Sequence, residues 1–256
     1  MFKEVTLTKA QLAKVANPDV AWLQQWLNVH ANSNLVVDGI GGTATRLAFI
    51  SAFVNRNAKA ITPEELSSIA AQLGETSSKL PRIKAVGDVE SRGGGWLPSG
   101  LPTILYERHL FWRSVNPSKR KMTYFCNPTP GGYTLDADND GTNDSWEKLA
   151  MACCVDPLAA LQSISIGKFQ VLGIWYKECG YKHPIEMLYA AKDREVVHYE
   201  FLRDYILKVA KLKSAFLEIN GEPANCVAFA KGFNGQNYAK YDYHTKIAAA
   251  YRKHSK

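Results

Sequence analysis

The feature that most constrains the fold is a succession of helical apolar patterns along the second part of the chain. Apolar residues recur at three- and four-residue spacing in six segments, with little of the alternation typical of strands. These segments are 145–163, 168–180, 184–192, 194–213, 222–232 and 241–253. A chain of 256 residues with 46% hydrophobic residues can bury a sizeable core. We therefore predict a mostly α fold, of the α+β kind, with a small β region.

A short polar segment, ETSSKLPR at 75–82, reads as a linker between two modules. We place the domains at residues 1–76 and 77–256. Helical patterns in VAWLQQWLNVH, GGTATRLAFISAFVNR and TPEELSSIAAQLG predict that the first domain is a three-helix bundle. Asp19 and Thr62 stand at good N-cap positions for the first and third of these helices.

The second domain opens on a helical pattern, PRIKAVGDVE, which three glycines at 93–95 are expected to stop. An extended apolar run, TILYE at 103–107, follows it. This run predicts that the small β region lies near the start of the second domain.

The net charge of +7 is unevenly placed. Residues 1–78 carry 6 Lys+Arg against 6 Asp+Glu, whereas residues 79–256 carry 25 against 18. Such a surface favours a polyanionic partner, which could be nucleic acid, an anionic lipid surface or a bacterial cell wall.

The cysteines and histidines argue against several classes of site. The five cysteines form an odd set without a C-x-x-C pair, which indicates reduced thiols and not a disulfide framework or a zinc ribbon. The six histidines show no H-E-x-x-H spacing, so a zinc peptidase or amidase is not expected. The chain also has no run of about 18 apolar residues, the minimum for a membrane span.

The densest group of acids fits a calcium-binding loop. Residues 136–147, DADNDGTNDSWE, match the pattern D-x-[DN]-x-[DN]-G-x5-E at each specified position. The predicted Ca2+ ligands are Asp136, Asp138, Asp140, Thr142, Asp144 and Glu147. Carboxylates held by a cation stay ionised and make poor general acids, so the predicted role is structural. The alternative is a solvated turn before the next helix.

Glu90 has the setting that a general acid requires. Ile83, Val86 and Glu90 lie at i, i+3 and i+7, so the carboxyl is expected on the inward face of its helix. Burial and the nearby helix C-terminus would both raise the pKa of this carboxyl. The alternative is an ordinary surface glutamate near a helix end.

Several ordered motifs resemble one family. VESRGGGW resembles the E-S motif of goose-type lysozymes and lytic transglycosylases, and SISIGKFQVLG and GFNGQNY resemble two later segments of that superfamily. Joined to LPTILYERHLFWR, they resemble the N-acetylmuramidase domain of modular phage endolysins. VAWLQQWLN followed by DGIGGTAT resembles the peptidoglycan-binding signature L-Q-x-x-L-N, D-G-x-x-G-x-x-T. The resemblance spans nearly the whole chain and implies a lysozyme-like catalytic domain behind a wall-binding bundle.

The resemblance also implies an activity and a set of residues. Glu90 would be the general acid that cleaves the β-1,4 bond between N-acetylmuramic acid and N-acetylglucosamine. Glu107 would be a second carboxylate near the cleft, although a salt bridge with Arg108 or Arg113 is an equal alternative. The implied substrate-binding residues are Ser165, Gln170, Asn234 and Tyr238. The implied wall-binding residues are Asp38, Gly39, Gly42 and Thr45.

Two other functions stay open at this point. One is a lytic transglycosylase, which cuts the same bond but leaves 1,6-anhydro ends, and the other is a non-catalytic wall-binding or virion structural protein. The expected partner is bacterial peptidoglycan, with no nucleic acid because the basic residues do not form a recognition helix. We expect a monomer without stable membrane insertion or a signal peptide. It would stay in the host cytoplasm until a holin releases it to the periplasm and cell wall.

Overall fold

The computed structural model of the protein describes residues 2–91 and 94–256. The predicted mostly helical fold with a small sheet is confirmed. The α-helices of the described residues are, in chain order, α1 (Lys9–Leu12), α2 (Pro18–Ala31), α3 (Thr43–Ala52), α4 (Pro63–Leu73), α5 (Pro81–Glu90), α6 (Arg108–Ser114), α7 (Asp144–Cys153), α8 (Pro157–Gln162), α9 (Pro184–Ala190), α10 (Glu195–Asp204), α11 (Lys213–Glu218), α12 (Pro223–Asn234) and α13 (Tyr243–Ser255). The strands are β1 (Ile104–Tyr106), β2 (Ile164–Ile166) and β3 (Val171–Leu172).

The three helices predicted in the first part of the chain are α2, α3 and α4, and the short α1 precedes them. The N-cap predicted at Asp19 is wrong. Asn17 caps α2 instead, because its side-chain oxygen accepts the N–H groups of Asp19 (3.0 Å) and Val20 (3.4 Å). Pro18 then occupies the first helical position, where a missing N–H leaves no donor unpaired. Thr62 caps α4 as predicted.

The segment between α4 and α5 is a packed turn. Glu75 is buried, and its carboxylate accepts the N–H groups of Arg82 (2.7 Å) and Ile83 (3.0 Å) in the first turn of α5. These are donors that a helix start leaves without intrahelical partners. Residues 75–82 therefore fix α5 to α4 and do not act as a flexible spacer.

Aromatic side chains on both sides of the predicted boundary at 76/77 share one core. The ring of Phe53 lies 5.3 Å from that of Trp146 and 5.7 Å from that of Tyr189, and Trp26 lies 5.3 Å from Tyr189. Phe53 and Trp146 are fully buried. Aromatic pairs at these separations add to the free energy gained by burying the rings. The two parts of the chain are thus packed into a common hydrophobic cluster.

The small sheet lies partly where the sequence predicted helix. β1, β2 and β3 are antiparallel in that order, and Ser165 in β2 pairs with Leu105 in β1 and Leu172 in β3. The strand predicted in TILYE is confirmed as β1, but the helix predicted over 168–180 is wrong. Gly167 and Gln170 have φ of +71° and +51°, which turn the chain from β2 into β3.

Two other long helical patterns are interrupted. The pattern over 145–163 forms α7 and α8, which are separated where Asp156 caps α8. The pattern over 194–213 forms α10 and a π-helical turn (Tyr205–Val209). The next helix, α11, begins at Lys213, the last residue of that pattern. Further on, α12 and α13 form as predicted, and α13 packs along both α12 and α5. This packing positions the C-terminal end of α5 beside α12.

Within the described ranges, no helix combines the length and apolar character needed to cross a bilayer.

Candidate active site

Glu90 is the last residue of α5 and is 7% exposed. The Nδ2 group of Asn234, the last residue of α12, donates a 2.8 Å hydrogen bond to Glu90 Oε1. The inward orientation expected from the helical spacing is present. Of the glycines expected to stop α5, Gly93 lies outside the described residues, and α5 ends before them with Ser91 in an extended conformation.

Glu90 lines a cavity of about 250 Å³ between α5, the sheet and α12. Three of the four residues assigned to the substrate on resemblance line the same cavity, namely Ser165, Gln170 and Asn234. They come from β2, the β2–β3 turn and α12, which are far apart in the sequence. The remaining lining residues are Val89, Leu105, Phe169, Phe233 and Tyr243. The cavity thus combines apolar side chains with several convergent polar groups, and convergent polar groups in a concave pocket are typical of a ligand site.

The fourth predicted residue, Tyr238, is not among the lining residues of this cavity. Its ring packs edge-on against His244, with the ring centroids 5.4 Å apart. The tyrosine that lines the cavity is Tyr243, the first residue of α13. No motif marks Tyr243 in the sequence, because its place depends on how α13 packs against α5.

Gln170 is held in its left-handed conformation by the turn that it closes. Its Nε2 group donates to Gly167 O at 2.8 Å, and its backbone N–H donates to the same oxygen at 3.2 Å. The turn requires glycine at 167 because a Cβ there would lie 2.1 Å from Nδ1 of His198. His198 therefore supports the turn that carries Gln170, a role that no sequence motif indicates.

His198 is neutral in this position. Its Nδ1 atom accepts the N–H of Lys168 at 2.9 Å, so the ring proton belongs on Nε2, which lies 2.8 Å from Ala191 O. The ring is buried, and burial lowers its pKa to about 4. A proton on Nδ1 would remove the acceptor for Lys168, two residues before Gln170.

Glu107 precedes α6 and has partners other than those expected. The hydroxyl of Tyr133 donates to Glu107 Oε2 at 2.6 Å, and His109 Nδ1 lies 3.3 Å from the same oxygen without hydrogen-bond geometry. Arg108 instead donates to the carbonyl oxygens of Thr129 and Pro130. Burial and the bond to Glu107 raise the pKa of Tyr133 to about 12, so its hydroxyl stays a donor. Glu107 is not among the residues that line the cavity at Glu90.

The carboxylates of the predicted calcium loop converge. Oxygen atoms of Asp136, Asp138 and Asp144 lie within 4.8 Å of one another, as do those of Asp138, Asp140 and Glu147, so Asp138 belongs to both groups. Asp136 accepts the N–H groups of Asp140 and Gly141 at 3.1 Å, which folds the loop around this residue. Hard oxygen donors in this number suit Ca2+.

The carboxylates of this loop repel one another. Burial, followed by the charges of the neighbouring aspartates, raises the pKa of Glu147. The carboxylate of Asp144 already has three partners within the protein. It accepts hydrogen bonds from the Ala137 N–H at 3.0 Å and from Thr134 Oγ1, and Lys148 Nζ lies 3.5 Å from it. For Thr142, the structure shows its N–H donating to Asp140 Oδ1 at 2.7 Å.

Three of the four residues assigned to wall binding, Asp38, Gly39 and Thr45, contact one buried glutamine, Gln24. Its Oε1 atom accepts the N–H groups of Asp38 (3.1 Å) and Gly39 (2.8 Å), and its Nε2 group donates to Asp38 Oδ1 (2.9 Å) and Thr45 Oγ1 (3.2 Å). Gly42 caps α3. Gly39 and Thr45 are buried, so in this structure they hold the loop together. The large hydrophobic side chains that the loop and α3 expose are Val36, Ile40 and Leu47.

Comparisons with known proteins found a family model and a solved structure that match this chain. The sequence model of the N-acetylmuramidase family matches residues 79–255. The chain is also similar to the crystal structure of the Burkholderia AP3 phage endolysin, with a TM-score of 0.66 and 27% sequence identity. That similarity covers 93% of this chain and 95% of that chain. No curated protein sequence matches the chain.

Proposed function

The chain belongs to the N-acetylmuramidase family and is a lysozyme-like glycoside hydrolase, and we propose that it is a phage endolysin with Glu90 as its general acid. Its substrate is bacterial peptidoglycan, and the bond that it hydrolyses is the β-1,4 bond between N-acetylmuramic acid and N-acetylglucosamine. The observation that carries the proposal is the hydrogen bond between Asn234 and Glu90 in a cavity shared with Ser165 and Gln170.

Asn234 positions the carboxyl of Glu90, because its Nδ2 group donates to Glu90 Oε1. In its acid form, Glu90 passes its proton to the bridging oxygen as the bond from C1 of N-acetylmuramic acid breaks. Water then adds its hydroxyl group to C1, and its second proton passes to a carboxylate. Gln170 and Ser165 line the cavity and hold the sugar rings.

Glu107 is the candidate for the carboxylate that takes the proton of the water. The separation of two carboxylates decides whether the second acts as base or as nucleophile. Tyr133, which donates to Glu107 Oε2, keeps this oxygen oriented. If Glu90 performs both proton transfers, Glu107 has a structural role, and Glu107→Gln would leave the product distribution unchanged.

Digestion of purified peptidoglycan, read by mass spectrometry, tests the activity. Hydrolysis gives reducing N-acetylmuramic acid ends. Products with 1,6-anhydro ends would identify a lytic transglycosylase instead. Binding to the wall without release of either product would show that the chain is a non-catalytic wall-binding protein.

We assign wall targeting to the N-terminal bundle of residues 1–76. Its polar motif around Gln24 is internal, so contact with the wall would use the exposed side chains of the same loop and helix, Val36, Ile40 and Leu47. Peptidoglycan reaches such a surface only after the protein leaves the host cytoplasm, and release by a holin to the periplasm and cell wall accounts for this.

The acidic loop is proposed to bind one structural Ca2+. Asp136, Asp138, Asp140, Asp144 and Glu147 would hold the cation, with an oxygen of Thr142 as a sixth ligand. Two groups of three carboxylates, which share Asp138, support the proposal, as does the raised pKa of Glu147. When bound, the ion neutralises part of the loop charge and braces the start of α7.

A further inference from the structure

A second cavity, which we name the seam cavity, lies between the N-terminal bundle and the catalytic part. It has a volume of about 380 Å³, within the range of about 300–1,000 Å³ that small-ligand sites occupy. Its lining residues are Asp19, Trp22, Asp156, Pro157, Leu158 and His183. None of them lines the cavity at Glu90.

The walls of the seam cavity are fixed by contacts between the two parts. Asn17, which caps α2, also donates through Nδ2 to Val155 O at 3.2 Å, just before the start of α8. The ring of His183 lies 4.4 Å from that of Trp22. Asp19 and Trp22 are thereby held opposite the first residues of α8 and the N-cap of α9.

The lining combines an aromatic surface with two carboxylates. The indole N–H of Trp22 already donates to Val5 O at 3.0 Å, so the indole offers ring surface to the cavity. Asp156 Oδ1 accepts the N–H of Ala159, and Asp19 Oδ2 contacts Lys119. An ionised carboxylate has about four acceptor sites, so both residues keep capacity to bind hydroxyl or amide donors. A sugar ring matches this lining, because its C–H face packs on aromatic rings and its hydroxyl groups donate to carboxylates.

The charges of the lining are partly compensated. Lys119 Nζ lies 2.9 Å from Asp19 and compensates one of the two carboxylates. Burial lowers the pKa of His183 to about 4, so this ring adds no positive charge at neutral pH. Asp156 therefore remains as an acceptor for the hydroxyl or amide groups of a ligand.

We infer that the seam cavity is a second saccharide-binding site, which takes an uncharged N-acetylated sugar residue of the glycan strand. The inference rests on the proposed function, since the polymer that the cleft cuts supplies this second sugar. Two sites on one polymer strengthen its retention through effective concentration.

Nuclear magnetic resonance of the indole N–H signal of Trp22, assigned through Trp22→Phe, tests the inference. The probe is a soluble, uncharged oligomer of N-acetylglucosamine, added to Glu90→Gln so that the chain does not cut it. The expected result is a saturable shift of the Trp22 signal, which is lost in a second variant, Leu158→Arg. Leu158 is 43% exposed, so the arginine fills the mouth of the cavity without disturbing the core.

A matched control is Leu12→Arg, because Leu12 is 40% exposed and lies in α1, outside the seam cavity. On insoluble peptidoglycan, Leu158→Arg should lower the retention of the protein about tenfold or more. This is a modest part of the gain in affinity of about 10²–10⁴ that linked sites give. Leu12→Arg should leave the retention unchanged.

A Trp22 signal that the oligomer leaves unmoved would overturn the inference. A signal moved only by an amine-bearing stem peptide without sugar would overturn it as well. Both readouts measure binding, so they stay interpretable even if Glu90→Gln retains activity and the proposed function itself fails.

Discussion

Asn234 Nδ2 donates a 2.8 Å hydrogen bond to Glu90 Oε1, which joins the C-terminal ends of α12 and α5 across 144 residues of sequence. The resemblance assigned Asn234 to the saccharide. In the structure, its amide contacts the proposed acid, so it positions this carboxyl.

Replacement of Asn234 by alanine should therefore lower kcat about 100-fold with little change in KM, because a misplacement of about 1 Å at a reacting group has that effect. Steady-state kinetics on solubilised peptidoglycan measure both constants. Asn225→Ala is the control, since Asn225 is exposed on the same helix. A rise in KM alone would show that Asn234 binds sugar without positioning Glu90.

The stability of the protein should fall as the pH is lowered from about 6.5 to about 4. Burial lowers the pKa of His198 to about 4, so the unfolded chain binds a proton in this window that the folded chain does not. The stability is complete above pH 6.5 and is lost progressively below it, by up to about 3 kcal/mol for this group. His183 contributes in the same direction.

Chemical unfolding at a series of pH values measures this dependence. In His198→Asn, the side-chain oxygen can replace Nδ1 as the acceptor for Lys168, and the variant has no titrating ring. Its free energy of unfolding should fall less steeply between pH 6.5 and 4. An unchanged slope would mean that His198 is not the titrating group.

Removal of calcium should lower the melting temperature, because a cation bound only by the folded loop stabilises that state. Differential scanning calorimetry with added Ca2+ and with chelator makes the comparison. Asp138→Asn should abolish the difference, since Asp138 belongs to both converging groups of oxygens. The control is Asp242→Asn, at the exposed N-cap residue of α13. This variant should keep the difference in melting temperature between the Ca2+ and chelator samples. Identical melting curves with and without chelator would contradict the proposed site.

Truncation of Phe53 to alanine should destabilise the whole chain by about 3–5 kcal/mol, the usual effect of emptying a buried aromatic position. Phe53 is fully buried and contacts Trp146 and Tyr189 beyond the predicted boundary. We expect both the unaltered chain and Phe53→Ala to unfold in a single transition, which lies at lower denaturant concentration or temperature in the variant. Val54→Ala, at a 40% exposed neighbour, should change stability by less than about 0.5 kcal/mol. Separate transitions, with only the first moved by Phe53→Ala, would contradict a shared core.

Local patterns predicted those parts of the structure that local chemistry decides. The capping box at Thr62, the helix ending at Glu90 and the strand at Ile104–Tyr106 all follow from neighbouring residues. The segment 168–180 was misread because Val171 and Leu172 fit a helical period equally well. Its hairpin depends on the left-handed turn at Gly167, which packs against His198, a residue that lies far along the chain.

The same division applies to the candidate site. Motifs identified Glu90, Ser165, Gln170 and Asn234, and the structure brings these four to one cavity. Tyr243, which comes from packing between helices, has no local signature. The resemblance assigns the motif at Asp38 to wall binding, and the structure shows hydrogen bonds between Asp38 and Gln24, 14 residues earlier. Sequence spacing alone does not distinguish a residue that builds a loop from one that the loop presents.

The most direct test of the central claim is the rate at which Glu90→Gln releases reducing ends from purified peptidoglycan, compared with the unaltered chain at equal folded concentration. Glutamine keeps the size of Glu90 and can accept the hydrogen bond from Asn234, but it cannot donate the catalytic proton. We expect a loss of about 10²–10⁴-fold, the usual contribution of general acid catalysis. Release at a near-normal rate would contradict the assignment of Glu90 as the general acid.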